Sequence, residues 1–139
     1  MSNTAKVLYT GKTSTTSGGR DGASRSDDGA LDIKLSSPGT AGKGTNPEQL
    51  FAAGWSACFI GAMQIASGVM KVKLPAETAV HAEVDLLNDT GAYFLGARLN
   101  VSIPGVAPEV ARQIVDIAHQ TCPYSKLSKG NINVEINLV

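Results

Sequence analysis

Apolar and polar residues change their spacing several times along this chain, and each change marks an element. Ala30-Leu31-Asp32-Ile33-Lys34-Leu35 alternates as a half-buried strand does, and Lys6 to Thr10 reads as a strand before it. Between them Ser17 to Ser26 is rich in glycine and serine and reads as loop, as does Ser36 to Thr45. A helix then starts. Asn46 is placed to cap it, Pro47 suits a first turn that needs no N–H there, and Gln49 completes a capping box. Glu48 sets a carboxylate at the positive end of the helix dipole. The helix is predicted to reach about Val69, and Pro75 begins a new connection. Ala79 to Leu87 alternates with Val80, Ala82, Val84 and Leu86 on one face. Asn88-Asp89-Thr90-Gly91 is turn chemistry, and Tyr93 to Ile103 alternates again with Leu95, Ala97, Leu99 and Val101 inward, which predicts a hairpin. Pro108 and Glu109 open a second helix, amphipathic through Val110, Ile114, Ile117 and Ala118. After Gly130 a last strand carries Ile132, Val134, Ile136 and Leu138 on one face. No repeat of alternating strand and helix is visible. The class is therefore α+β, a mostly antiparallel sheet with a buried central helix and a second amphipathic helix.

Composition sharpens this in three ways. The 139 residues suit one domain, and 12 basic against 12 acidic side chains leave no net field to draw the chain to nucleic acid or anionic lipid. The first residues lack a basic stretch followed by an apolar run, so no secretory signal is read and a reducing cytoplasm is expected. Gln49 to Met70 has no charged side chain and is long enough for one membrane span. Yet it holds Gln49, Ser56, Gln64, Ser67 and three glycines, which reads better as a helix that protein surrounds on every side.

Several motifs fail. Gly39 to Thr45 resembles a phosphate loop at a glance, but Ser37 stands where the first glycine is required and Gly44 where Ser or Thr must follow the lysine. No pattern of His, Cys or carboxylate spacing supports a metal site. His81 lies on a polar strand face and His119 off the apolar stripe of its helix, so both read as solvated. The two cysteines are more informative. Cys58 sits within the apolar helix beside a bulky stripe of Phe51, Trp55 and Phe59, with Gly54, Ala57 and Gly61 forming a strip of small residues. Cys122 continues the stripe Ile114, Ala118 by one turn and points inward, after which Pro123 stops the helix. Spacing permits the two sulfurs to meet without requiring it. A buried thiol has its pKa raised, so a reactive one needs a nearby cation. Candidates are Arg20, Arg25, Arg98 and Arg112. Arg98 and Arg112 lie on polar faces of their elements. Arg20 stands between glycines in a loop that would otherwise need no charge, although composition alone favours a solvated side chain there.

Three segments together resemble the organic hydroperoxide resistance proteins, in the superfamily that includes the osmotically inducible protein C group. They are Gly18-Gly19-Arg20-Asp21-Gly22, Thr45 to Phe59 and His119 to Lys126; Trp55 stands where tyrosine is more usual. The resemblance covers essentially the whole chain and implies one peroxidase domain over residues 1–139, in an intertwined homodimer. It implies that Cys58 attacks the outer oxygen of an alkyl or fatty-acid hydroperoxide, leaving a sulfenic acid that Cys122 converts to a disulfide. Arg20 would keep Cys58 as thiolate and Glu48 would orient Arg20. No cofactor or metal is implied, and a dihydrolipoyl group, free or on a lipoylated protein, would be the external reductant. Glu48 and Cys58 lie ten residues apart, about 15 Å along one continuous helix. Glu48 is therefore expected either before the regular helix or from a second chain. Other readings are a peroxidase of the osmotically inducible type, or a non-catalytic lipid-binding or redox-sensing module.

Overall fold

Backbone pairing, more than side-chain character, organises the first third of the chain. The computed structural model describes residues 4–139, which form two units, one ending at Pro47 and one running from Glu48 to Val139. In the first unit, β1 (Thr13–Thr15), β2 (Ala23–Ser26) and β3 (Asp32–Lys34) make an antiparallel meander. β2 falls within the stretch expected to be loop. Its polar residues suit a strand here because both edges are paired, and the Ser24 and Thr15 hydroxyls hydrogen-bond at 3.0 Å. The expected strand over Lys6 to Thr10 is not present. Among the described residues that segment pairs with no strand, and Val7, Leu8 and Tyr9 are more than 80% exposed. A run of strand-favouring residues does not make a strand where no neighbouring strand accepts its hydrogen bonds.

The second unit begins with α1 (Pro47–Met70), followed by the hairpin β4 (Ala79–Asp89) and β5 (Ala92–Ser102). Asp89 pairs with Ala92, so the turn is only Thr90 and Gly91, both at positive φ (50° and 89°). That mirror-image geometry matches the twist of the flanking strands and accounts for the glycine. Next come α2 (Pro108–Thr121), the short α3 (Pro123–Ser128) and β6 (Asn133–Leu138). β6 pairs parallel with β5, so the sheet order is β4-β5-β6 and the helices form the crossover that parallel strands require.

One layer of side chains joins sheet to helices. Ala97, Leu99 and Val101 of β5 meet Trp55, Phe59, Met63 and Ala66 of α1 and Ile114, Val115 and Ala118 of α2 in a single buried cluster. The opposite sheet face is polar: Arg98 donates to both carboxylate oxygens of Asp85 at 2.8 and 2.9 Å, which holds that carboxyl below its ordinary range. The stripe of α2 is centred on Ala111, Ile114, Val115 and Ala118, with Ile117 at its edge, 37% exposed. α1 departs from its expected environment. It is long and apolar enough to cross a bilayer, and its buried face is Trp55, Phe59, Ala62, Met63, Ala66 and Ser67. Its other face is not surrounded by this chain: Ala53, Ala57, Ile65, Gly68 and Val69 are exposed, Ile65 at 69% and Val69 at 79%.

Candidate functional site

Two sulfurs meet where α1 passes the junction of α2 and α3. Cys122 is the single extended residue between these helices (φ −62°, ψ 124°), and it is fully buried. Proline explains the junction: Pro123 ends α2, because its ring obstructs the continuing helix, and starts α3, because a first turn needs no N–H there. The Cys122 carbonyl accepts from the Lys126 N–H at 3.0 Å and closes the first turn of α3. α3 was not expected from the sequence, where Pro123 reads only as a stop.

Cys58 projects from α1 toward this corner and is half-buried against the core. Both thiols are free, and Cys58 is within hydrogen-bonding reach of Cys122. Burial pushes the Cys58 thiol above its ordinary pKa, and the hydrogen bond to Cys122 adds to that by holding the proton. The Tyr124 backbone N–H points at the same sulfur and acts in the opposite direction, favouring thiolate. Burial is the largest of these effects, and the net shift is upward.

Aromatic rings wall the corner. Phe51 stacks on Trp55 with centroids 5.2 Å apart and meets Tyr124 edge-on at 5.8 Å. The Trp55 indole N–H donates to Ser125 Oγ at 3.2 Å, with both residues almost wholly buried, and so ties α1 to α3. Gly54 lets the Tyr124 ring lie close: a Cβ there would stand 3.3 Å from the phenol oxygen. Tyr124 and Ser125 belong to the site through α3. Their only signal in the sequence was their place in the segment that follows Cys122.

The remaining predicted residues are placed separately. Arg20 lies on a 3₁₀ turn, Gly19–Asp21, and is exposed. Glycine is needed there: Gly19 has φ +55°, and a Cβ on Gly18 would come within 2.8 Å of Gly22 Cα. Asp21 anchors the turn by accepting from the Ser37 N–H at 2.9 Å and hydroxyl at 3.0 Å. Glu48 is in the first turn of α1. It therefore does not precede the regular helix, one of the two positions expected for it, because Pro47 already starts that helix. His81 is exposed as expected, whereas His119 is half-buried. Its Nδ1 is buried without a hydrogen-bond partner, beside a cleft lined by Gln120, Ser125, Lys126 and Lys129. Burial first, and the Lys129 charge second, lower its pKa. The restart of the chain at Pro123 folds α3 back over that edge of α2.

Residues 39–137 match the model of the OsmC-like protein family. The organic hydroperoxide resistance protein of Xanthomonas axonopodis pv. citri (strain 306) is 45% identical over 142 residues, covering 99% of each chain. The crystal structure of the organic hydroperoxide resistance protein OhrB of Bacillus subtilis superposes with a TM-score of 0.90 at 38% identity, over 96% of this chain and all of that one. That of an organic hydroperoxide resistance protein from Elizabethkingia anophelis gives 0.87 at 39% identity, over 96% and 98%.

Proposed function

We propose, from the premise that this chain belongs to the OsmC-like family and within it to the organic hydroperoxide resistance proteins, that it is a cysteine-based peroxidase that reduces organic hydroperoxides. The observation that carries this reading is the pairing of a half-buried Cys58 sulfur with a fully buried Cys122 sulfur under an aromatic wall. An accessible thiol with a second thiol at hydrogen-bonding range is what capture of a sulfenic acid requires. The apolar wall favours an alkyl or fatty-acid hydroperoxide over hydrogen peroxide.

In this mechanism the Cys58 thiolate attacks the outer peroxide oxygen, the O–O bond breaks, and the alkoxide leaves as alcohol on taking a proton. The Cys58 sulfenic acid then condenses with the Cys122 thiol, forming the disulfide and releasing water. Since burial works against the thiolate, a cation must hold it, and Arg20 is the residue assigned. Its planar guanidinium matches the Glu48 carboxylate, which orients it. Glu48 stands about 15 Å along the same helix from Cys58, so it comes from the second chain of a homodimer. The uncovered face of α1 supports such a dimer: Ala53 and Ala57 allow close approach, and Ile65 and Val69 offer apolar area. A dihydrolipoyl group, free or on a lipoylated protein, returns the disulfide to thiols in the cytoplasm. No bound cofactor enters the cycle.

The test is turnover of cumene hydroperoxide with dihydrolipoamide. Wild type consumes peroxide catalytically and Cys58→Ser does not. Cys122→Ser forms the Cys58 sulfenic acid but no Cys58–Cys122 disulfide, so dihydrolipoamide must reduce the sulfenic acid directly, and Arg20→Ala is slowed. Undiminished turnover by Cys58→Ser rules this mechanism out. A protein that binds hydroperoxide without consuming it is a binding module.

A further inference from the structure

The two sulfurs differ in access, and access decides how the disulfide is reopened. Thiol–disulfide exchange needs three sulfurs in line, with the attacking thiolate opposite the bond that breaks. Behind Cys122 lies the core: it is 0% exposed and clusters with Trp55, Ile114, Val115 and Ala118, all 0% exposed themselves. A nucleophile approaching that side has no space. Cys58 borders the same cluster from outside and remains partly open. A disulfide between them would extend from Cys58 inward, leaving the back of Cys58 as its reachable side.

We infer that the reducing dithiol attacks Cys58 and expels Cys122, so that the peroxide-reactive sulfur also receives the reductant. This rests on the proposed function and adds to it the direction of the second half-cycle. One thiolate of the reductant bonds to Cys58 Sγ, the Cys58–Cys122 bond breaks, and Cys122 leaves with the pair and takes up the proton released by the attacking thiol. The reductant's second thiolate then attacks its own sulfur within the mixed disulfide, closing a cyclic disulfide and freeing Cys58. Two electrons pass from the dithiol to the protein disulfide.

The same geometry explains why the reductant must carry two thiols. After the first step the Cys122 thiol stands beside the mixed disulfide and re-forms the protein disulfide in an intramolecular reaction. A monothiol loses that competition, because its completing step is bimolecular. A dithiol completes in an intramolecular step of its own.

The experiment maps the first adduct. The disulfide is formed in wild type with diamide, with no peroxide involved, then exposed briefly to excess 2-mercaptoethanol, quenched in acid, alkylated and digested. Most of the protein re-forms its disulfide, and in the fraction that the acid quench traps as a mixed disulfide, mass spectrometry is expected to find mercaptoethanol on Cys58 and the alkyl group on Cys122. The reverse pattern, an even mixture, or failure of diamide to join the sulfurs overturns the inference. A second arm follows native reaction with 5,5′-dithiobis(2-nitrobenzoate), since a disulfide reagent enters a sulfur by the path a thiol uses to attack it. Cys58 in Cys122→Ser should react at least about 100-fold faster than Cys122 in Cys58→Ser, whose access requires local opening; equal rates overturn it. Both arms report whether or not peroxide is turned over, so their failure is separate from failure of the proposed function.

Discussion

Replacing Ser125 with alanine removes one hydroxyl from the corner that holds both sulfurs, and its cost follows from the structure. Ser125 Oγ accepts from the Trp55 indole at 3.2 Å, and the two residues are 1% and 0% exposed. Ser125→Ala leaves the indole N–H buried without an acceptor, an outcome that costs about 1–3 kcal/mol, more than the roughly 1 kcal/mol net value of a hydrogen bond. For a chain of this length that lowers Tm by roughly 4 °C per kcal/mol. Urea unfolding of Ser125→Ala, Trp55→Phe and the double variant isolates the contact, because Trp55→Phe alone also opens a void. Coupling of about 1 kcal/mol between the two changes is expected. The functional counterpart is selective. α3 carries Ser125 and the Tyr124 N–H and starts directly after Cys122, so loosening it slows formation of the Cys58–Cys122 disulfide more than oxidation of Cys58. Quenched-flow trapping of sulfenic acid separates those steps. Additivity within about 0.3 kcal/mol, with unchanged disulfide formation, refutes the claim that this hydrogen bond ties α3 to α1.

Two further outcomes can be checked. The depressed pKa of His119 means the unfolded chain takes its proton first, so stability falls as pH drops through the unfolded imidazole value of about 6.5 and levels off below the folded one. Urea midpoints at pH 8 and pH 5 should differ less in His119→Gln than in wild type, and an unchanged difference contradicts the burial argument. Ile65→Glu places a charge at a 69% exposed position on the uncovered face of α1, so it should leave the monomer fold intact and shift the protein to monomer in light scattering; a persistent dimer assigns that interface elsewhere.

The local pattern of residues was sufficient for several elements, because their physics is local. Pro47 with its neighbours marks where α1 starts, Asn88 to Gly91 marks the hairpin turn, and alternation orients β5 with Ala97, Leu99 and Val101 inward. Cys122 was legible as an inward residue for the same reason, lying one turn beyond Ala118 on a regular stripe. What the pattern could not carry was pairing and covering. β2 is a strand because β1 and β3 flank it, although its own residues are mostly polar, whereas the more apolar Lys6 to Thr10 pairs with no strand among the described residues. His119 is half-buried, with its Nδ1 covered, at the cleft where α3 follows the turn at Pro123, an effect outside the periodicity of α2. Both histidines looked solvated, and only His81 is exposed.

From the sequence alone came the residue types, their spacing on each element and the resemblance that those segments carry. Only the tertiary structure decided that Cys58 and Cys122 lie within reach of each other, and that one is open while the other is sealed. The physical reason is that sulfur–sulfur proximity and burial depend on how α1 packs against the α2–α3 junction. That packing is set jointly by contacts such as Trp55 with Ser125, seventy positions apart in the chain, and no spacing within one element encodes it.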